Sequence, residues 1–358
     1  MCAPFRRASA LEERRVKCLV WDLDETLWEG VLLEGGGGRL RPGVLETLQA
    51  LDERGILHSL ASRNDPALAR RRLEELGLWE YFLAPEIGWG AKSASVAAIA
   101  RALNLGLDCL AFVDDQPYER EEVGFSHPEV LCLAASEVPR LPDRPEFQPR
   151  RKTLDSARRR HLYRLDLERR EEERHFPGPR EEFLATLGMV FTLLPASEED
   201  LERAEELTVR THQLNTTGET FSLEELRGFC RSPGHLLLVG DLEDRFGPYG
   251  RIGLALVECG AQAWTLRLLL MSCRVLGRGV GTVLLHRLME AAFARGLPLH
   301  AWFRPNGRNE MMRTTLRFAG FREAAREGDL RILQVAPRAV PAPPAYLELR
   351  GGIPGVPG

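Results

Sequence analysis

The sequence predicts an α/β protein of two folded domains, the first a doubly wound parallel sheet without a large cap, the second a separate α/β domain. Three observations predict this. A chain of 358 residues is long for one hydrophobic core and comfortable for two. Short apolar runs alternate with helical periodicities up to about residue 140, the pattern of repeated βα units. The composition then shifts to proline and dense charge before regular elements resume.

The elements follow in order. Val16 to Asp22 is an apolar run ending in an acidic turn, as expected of a buried parallel strand with chemistry at its C-terminal end. After a Gly-rich turn (Gly35 to Gly38), Val44, Leu45, Leu48 and Leu51 recur at helical spacing up to Gly55. A second strand, Ile56 to Ala61, leads into Ser62-Arg-Asn-Asp-Pro66, which caps a helix running to Gly77. Lys92 opens a third helix, Cys109 to Val113 is a strand ending in Asp114-Asp115, and Val130 to Leu133 closes the series. The first domain is thus expected over 16–140. Residues 141–180 read as a charged, Pro-containing linker with a solvated helix. The second domain is expected over 181–335, with a helix around Glu198 to Leu207. Strands follow at His235 to Val239, Ile252 to Glu258 and Ala263 to Ser272, then a helix from Gly279 to Ala294 and a strand at Leu299 to Phe303. Residues 336–358 read as a loosely ordered Pro/Gly-rich tail.

Composition narrows the function. An apolar fraction of 44% and a charged fraction of 28% are globular values. Arg267, Arg274 and Arg278 interrupt the most apolar stretch, and Met1-Cys-Ala-Pro-Phe-Arg-Arg lacks a signal-peptide core, so a cytoplasmic protein with no membrane partner is expected. A net charge of −4 argues against a nucleic-acid partner. Seven cysteines without a CxxC pair fit reduced thiols. Lysine occurs only at Lys17, Lys92 and Lys152, which makes a well-placed lysine informative.

Asp22-Leu-Asp24-Glu-Thr26 directly follows a buried strand, and Asp114-Asp115 ends another, so four carboxylates are expected to crowd one crevice at the sheet's C-terminal edge. Their repulsion calls for cations. An oxygen-ligated hard divalent ion, Mg²⁺, meets that need, and Lys92 adds a point charge suited to a phosphate oxygen. Ser62 ends the second strand and supplies a hydroxyl donor. Only residues 28–41 separate the first motif from the following helix, leaving no room for a large cap.

This pattern resembles the haloacid dehalogenase superfamily motif by motif: Asp22 and Asp24 stand in its DxDxT, Ser62 in its second motif, Lys92 in its third and Asp114-Asp115 in its acidic fourth. The resemblance implies that Asp22 is the nucleophile attacking phosphorus and Asp24 the general acid and base. It also implies that Mg²⁺ is held by Asp22, the backbone carbonyl of Asp24, and Asp114 or Asp115. Thr26, Ser62, Arg63 and Asn64 are the candidate phosphate-binding residues.

The second domain carries its own signal. Trp264 to Cys273 reads as a strand followed by Arg274-Val-Leu-Gly277-Arg-Gly279-Val-Gly281 and an amphipathic helix. Glycines before a helix let backbone N–H groups approach a phosphate, or serve tight strand–helix packing alone. The segment resembles the RxxGxG loop of GCN5-related N-acetyltransferases, which implies that Arg274, Gly277, Gly279 and Gly281 receive a pantetheine-bearing partner. Cys273 lies directly before this loop, where Arg274 and the helix N-terminus are placed to favour its thiolate. His212 and Asn215 are candidate partners at an acyl site.

Three segments together, 16–30, 111–123 and 269–281, resemble the FkbH family of glyceryl transferase/phosphatase proteins of modular polyketide pathways. The family implies a route from 1,3-bisphosphoglycerate to a glyceryl thioester on a phosphopantetheinylated acyl carrier protein, for a methoxymalonyl-type extender unit. Cys273 is the expected acyl acceptor. This chain departs in having Ala61 where many larger members carry a cysteine, which excludes a covalent role there, and His212 where members commonly have an amide. The alternatives are a stand-alone phosphatase of a small metabolite and a phosphatase fused to a CoA-dependent N-acetyltransferase.

Overall fold

The computed structural model describes residues 15–35, 38–148, 154–211 and 213–353. Two compact units divide between Leu167 and Glu168, within the stretch read as a linker.

The first unit is built on five parallel strands, β1 (Cys18–Trp21), β2 (Leu57–Ser62), β3 (Glu86–Ile87), β4 (Leu110–Asp114) and β5 (Leu131–Ala134), in the order β3-β2-β1-β4-β5. β1, β2 and β4 are buried along their whole length, because both sheet faces are covered. On one face Leu19, Trp21, Leu60 and Val113 pack against α1 (Val44–Glu53) and α2 (Pro66–Glu75). On the other, Val20, Leu57 and Phe112 pack against α3 (Lys92–Ala102) and α4 (Pro117–Ser126). This is the doubly wound sheet expected from the sequence. Asp65 caps α2 as its position before Pro66 predicts, accepting from the Ala67 and Leu68 N–H groups at 2.9 Å each. Among the described residues, nothing larger than a 3-10 turn at Leu32–Glu34 stands between β1 and α1.

The helix expected to be solvated is not so in this unit. After α5 (Leu154–Ala157), the start of α6 (Arg159–His175) buries Leu162, Tyr163 and Leu165. Arg159 donates to Gly55 O at 3.1 Å and Arg160 to Asp52 at 2.9 Å. The run of charges hid these apolar residues at helical spacing.

The second unit is one eight-stranded sheet ordered β11-β12-β10-β9-β8-β7-β6-β13. Its strands are β6 (Met189–Pro195), β7 (His235–Asp244), β8 (Gly247–Cys259), β9 (Trp264–Met271), β10 (Leu299–Phe303), β11 (Arg322–Glu327), β12 (Leu330–Val335) and β13 (Leu347–Gly351). One face buries α7 (Arg180–Thr186), α10 (Val280–Phe293) and α11 (Glu310–Phe318), the other α8 (Leu201–Arg210) and α9 (Leu223–Arg231). Arg169 is fully buried here, forked onto Asp244 at 2.8 and 2.9 Å and stacked 3.8 Å over Tyr249. The expected loose tail is corrected by β13, which pairs in parallel with β6 from Leu347↔Met189 to Gly351↔Leu193; residues 354–358 of that expectation lie outside the described residues.

β9 and β10 are parallel and pair only over Trp264–Leu266 with Leu299–Ala301. Beyond that point the two strands part, and Leu214–Thr216 lies between them. Met271 N–H donates to Leu214 O at 2.8 Å and Thr216 N–H to Leu269 O at 3.0 Å, while Arg304 N–H on the opposite side reaches Thr216 O at 2.9 Å. Among the described residues no helix is long and apolar enough to cross a membrane.

Candidate active site

β1, β4 and the start of α3 bring Asp22, Asp114, Asp115 and Lys92 together at the C-terminal edge of the parallel sheet. Lys92 Nζ donates to Asp22 Oδ1 at 2.5 Å, to Ala61 O at 2.8 Å and to Asp114 Oδ2 at 3.0 Å. One ligand oxygen from each of Asp22, Asp114 and Asp115 falls within 4.8 Å of the other two. Burial pushes the Asp22 carboxyl up to about 6, opposed by Lys92 and reinforced by the charge of Asp114. Asp115 is raised by burial and then by Asp114. Burial works against the Lys92 charge, but Asp22 and Asp114 outweigh it and hold its pKa above the usual lysine value. One lysine therefore does not neutralise the cluster. Three oxygens this close fit a hard divalent cation such as Mg²⁺.

Asp24 turns away from that cluster. Its Oδ1 accepts from the Trp28 indole at 2.8 Å and the Leu32 N–H at 3.1 Å, and its Oδ2 from Asn64 Nδ2 at 3.0 Å. The expected crowd of four carboxylates is thus three carboxylates with a fourth held beside them. Trp28, which reads as a packing or rim aromatic, is buried and orients Asp24.

The candidate phosphate-binding residues divide. Ser62 is buried at the end of β2. Thr26 is fully buried and ties the first motif to the fourth, its hydroxyl accepting from Asp115 N–H at 2.9 Å. Asn64 is committed to Asp24, and its Oδ1 accepts from Asp65 N–H at 3.0 Å. Thr26 and Asn64 thus serve the site's own carboxylates, Thr26 on Asp115 and Asn64 on Asp24. Arg63 pairs with Glu119 at 2.8 Å. Sequence reasoning missed Arg120, whose guanidinium donates to the carbonyls of Asp114 and Asp115 at 2.8 Å each and fixes that turn. It also missed Glu122, which accepts from the Ser93 N–H at 3.0 Å and anchors the start of α3 behind Lys92. The signal was their place in the acidic helix after Asp114-Asp115.

In the second unit Cys273 follows β9 and is half-buried, outside any disulfide. Arg274 is buried, its Nε donating to Ser272 Oγ at 3.3 Å. Gly277 and Gly279 have φ of +77° and +81°, and a Cβ would stand 2.3 Å from Arg180 Nη2 at the first and 2.8 Å from the Tyr346 hydroxyl at the second. The glycine turn is therefore packed by the chain's own side chains as well as strained for any other residue. Gly281 approaches Met271 closely, at 3.4 Å for an added Cβ. Asn215 is fully buried; its Oδ1 accepts from Thr217 and Gly218 N–H at 3.1 and 2.8 Å and its Nδ2 donates to Thr211 O at 3.2 Å. These bonds place Asn215, expected at an acyl site, at the centre of a turn. His212 lies outside the described residues.

Fold and site together define a two-unit α/β protein with an oxygen-rich, cation-accepting cluster at the edge of its parallel sheet. No family model and no curated protein matches the chain. Among solved structures, the chain is similar to the N-terminal part of protein BF1531 of Bacteroides fragilis, containing a phosphatase domain and complexed with Mg, 29% identical over 38% of this chain and 40% of that one, with a TM-score of 0.32. The chain thus spans about 40% of that structure's length. The ribosomal-protein-S18-alanine N-acetyltransferase of Escherichia coli is 18% identical over 42% of this chain and 95% of its own, with a TM-score of 0.33. The PaiA N-acetyltransferase of Thermoplasma acidophilum, in complex with coenzyme A, is 16% identical over 41% and 98%, with a TM-score of 0.32.

Proposed function

We propose that the chain is a Mg²⁺-dependent glyceryl transferase/phosphatase that takes 1,3-bisphosphoglycerate, removes its phosphates and loads the glyceryl group as a thioester onto a phosphopantetheinylated acyl carrier protein. The observation that carries the phosphatase half is the Lys92-bridged cluster of Asp22, Asp114 and Asp115. Asp22, the backbone carbonyl of Asp24, and Asp114 or Asp115 would hold Mg²⁺, which when bound offsets charge on the phosphoryl oxygens. The Asp22 carboxylate attacks phosphorus, and the alcohol leaves with a proton from Asp24. Water then attacks the aspartyl phosphate, giving its proton to Asp24 and releasing inorganic phosphate. Of the two Asp24 oxygens, Oδ2 accepts from Asn64 alone, so it has room for that proton.

The transferase half rests on the likeness of segments 16–30, 111–123 and 269–281 to the FkbH family and on the place of Cys273 after β9. An acyl phosphate is an activated carboxyl. The Cys273 thiolate attacks its carbonyl carbon and expels phosphate, and the carrier thiol then takes the acyl group and restores the cysteine.

Incubation with Mg²⁺, 1,3-bisphosphoglycerate and holo carrier protein should raise the carrier mass by one glyceryl group. Cys273→Ala should abolish loading and keep phosphate release from a simple ester, while Asp22→Asn should stop that release. Phosphate release without any carrier mass increase would leave a stand-alone phosphatase.

A further inference from the structure

Arg63 sits inside the frame of the first site without belonging to its carboxylate cluster. The backbone on both sides of it is engaged there: Ala61 O accepts from Lys92, and Asn64 holds Asp24. From this turn the Arg63 side chain crosses to α4, where Nη1 lies 2.8 Å from Glu119 Oε1, and Nε donates to Gly90 O at 3.3 Å. The Glu119 side chain is only 7% exposed and its Oε2 has no partner among the described residues, whereas Arg63 is 42% exposed. A carboxylate that deeply buried is tolerated only against a fixed cation. The geometry therefore engages Nε and Nη1 and leaves Nη2, which stands between them, without a partner among the described residues. An anchored guanidinium with one free N–H donor group is suited to a single carboxylate or phosphate oxygen.

We propose that Arg63, positioned by Glu119, determines specificity at the Asp22 site by binding the second anionic group of a small phosphate ester. This rests on the phosphatase reading of that site. An ester with a carboxylate or second phosphate a few bonds from the scissile one engages both ends of the crevice; a singly anionic ester engages one.

The test compares Mg²⁺-dependent turnover of 3-phosphoglycerate and glycerol 3-phosphate, which differ in the carboxylate. The wild type should prefer 3-phosphoglycerate. Arg63→Gln should shrink the kcat/KM ratio between the two esters by about 10- to 100-fold, as expected for one charge-assisted hydrogen bond, with the loss falling on KM for 3-phosphoglycerate. Glu119→Gln, which releases the guanidinium from its buried partner, should shrink the ratio in the same direction and less; it carries the comparison if Arg63→Gln does not fold. Equal losses on both esters, or an unchanged ratio, overturn the proposal while the phosphatase reading stands. A wild type that hydrolyses neither ester overturns both.

Discussion

Lys92 does two jobs through one ammonium group: it bridges Asp22 and Asp114, and it ties both to the end of β2 through Ala61 O. Lys92→Met leaves two buried carboxylates facing each other, a change that costs about 3–5 kcal/mol when one partner of a buried pair is lost. Thermal unfolding of this variant in chelator should show that loss, with Mg²⁺ restoring part of it; no recovery would mean that the carboxylates hold no ion. His58 makes a second prediction. The Trp21 indole can only donate, and it reaches His58 Nδ1 at 3.0 Å, so the proton sits on Nε2 and is given to Leu48 O at 3.1 Å. Burial pushes this imidazole down to about 3. The folded state thus keeps His58 neutral while the unfolded chain protonates near 6.5. Its contribution is present above pH 6.5 and is lost as the pH falls toward 3, by up to about 1.4 kcal/mol per unit. Urea unfolding from pH 7.5 to 5 should show a drop that His58→Phe makes shallower. Asp22, Lys92 and the acidic pair Asp114-Asp115 were legible because each sits at a strand end or helix start. The roles of Thr26 and Asn64 were not, since their partners Asp115 and Asp24 lie 89 and 40 residues away.

Among elements, Asn309 holds the segment that lies between β9 and β10. This fully buried side chain donates to Asn215 O and Arg304 O at 2.9 Å each, and Asn306 N–H donates to its Oδ1 at 3.1 Å. Asn309→Ala strands these groups, at about 1–3 kcal/mol for each one left buried and unsatisfied. Hydrogen exchange at the Leu269 and Met271 amides, which donate to Thr216 and Leu214, should quicken at least about tenfold. Unchanged protection there would show that the inserted segment stands without Asn309. Elements with a clear period were readable, including the buried strands and α10. α9 was readable and missed: Ser222 and Glu225 form a reciprocal cap, with Glu225 N–H donating to Ser222 Oγ at 3.3 Å and Ser222 N–H to Glu225 at 2.8 Å. β11 was not readable, because every residue of Arg322–Glu327 is exposed and no alternation marks a strand. The prolines before β13 signal a loop, and the strand after them is too short to outweigh that.

For the whole molecule, length and the change of composition after residue 140 gave two units, but the extent of the second depended on a pairing no local pattern shows. β13 covers the edge of β6, and Leu347 and Ile353 belong to the second unit's core. Ending the chain at Pro344 exposes that edge and removes two buried side chains, each worth about 1.5–3 kcal/mol. The shortened chain should melt earlier and aggregate more, by thermal unfolding and light scattering. It should retain the Mg²⁺-dependent hydrolysis proposed for the first unit. Unaltered melting would show that β13 adds nothing to the fold.

The segment Leu214–Thr216 also sets a term in any binding equilibrium at the gap it fills. A ligand that lies between β9 and β10 by bonding the amide of Met271 or the carbonyl of Leu269 competes with a group tethered to the same chain. Such a tether acts as a competitor at an effective concentration of about millimolar. Affinity at that gap is then a difference between two occupants of one position, and loosening the segment tightens the ligand without changing a single ligand contact.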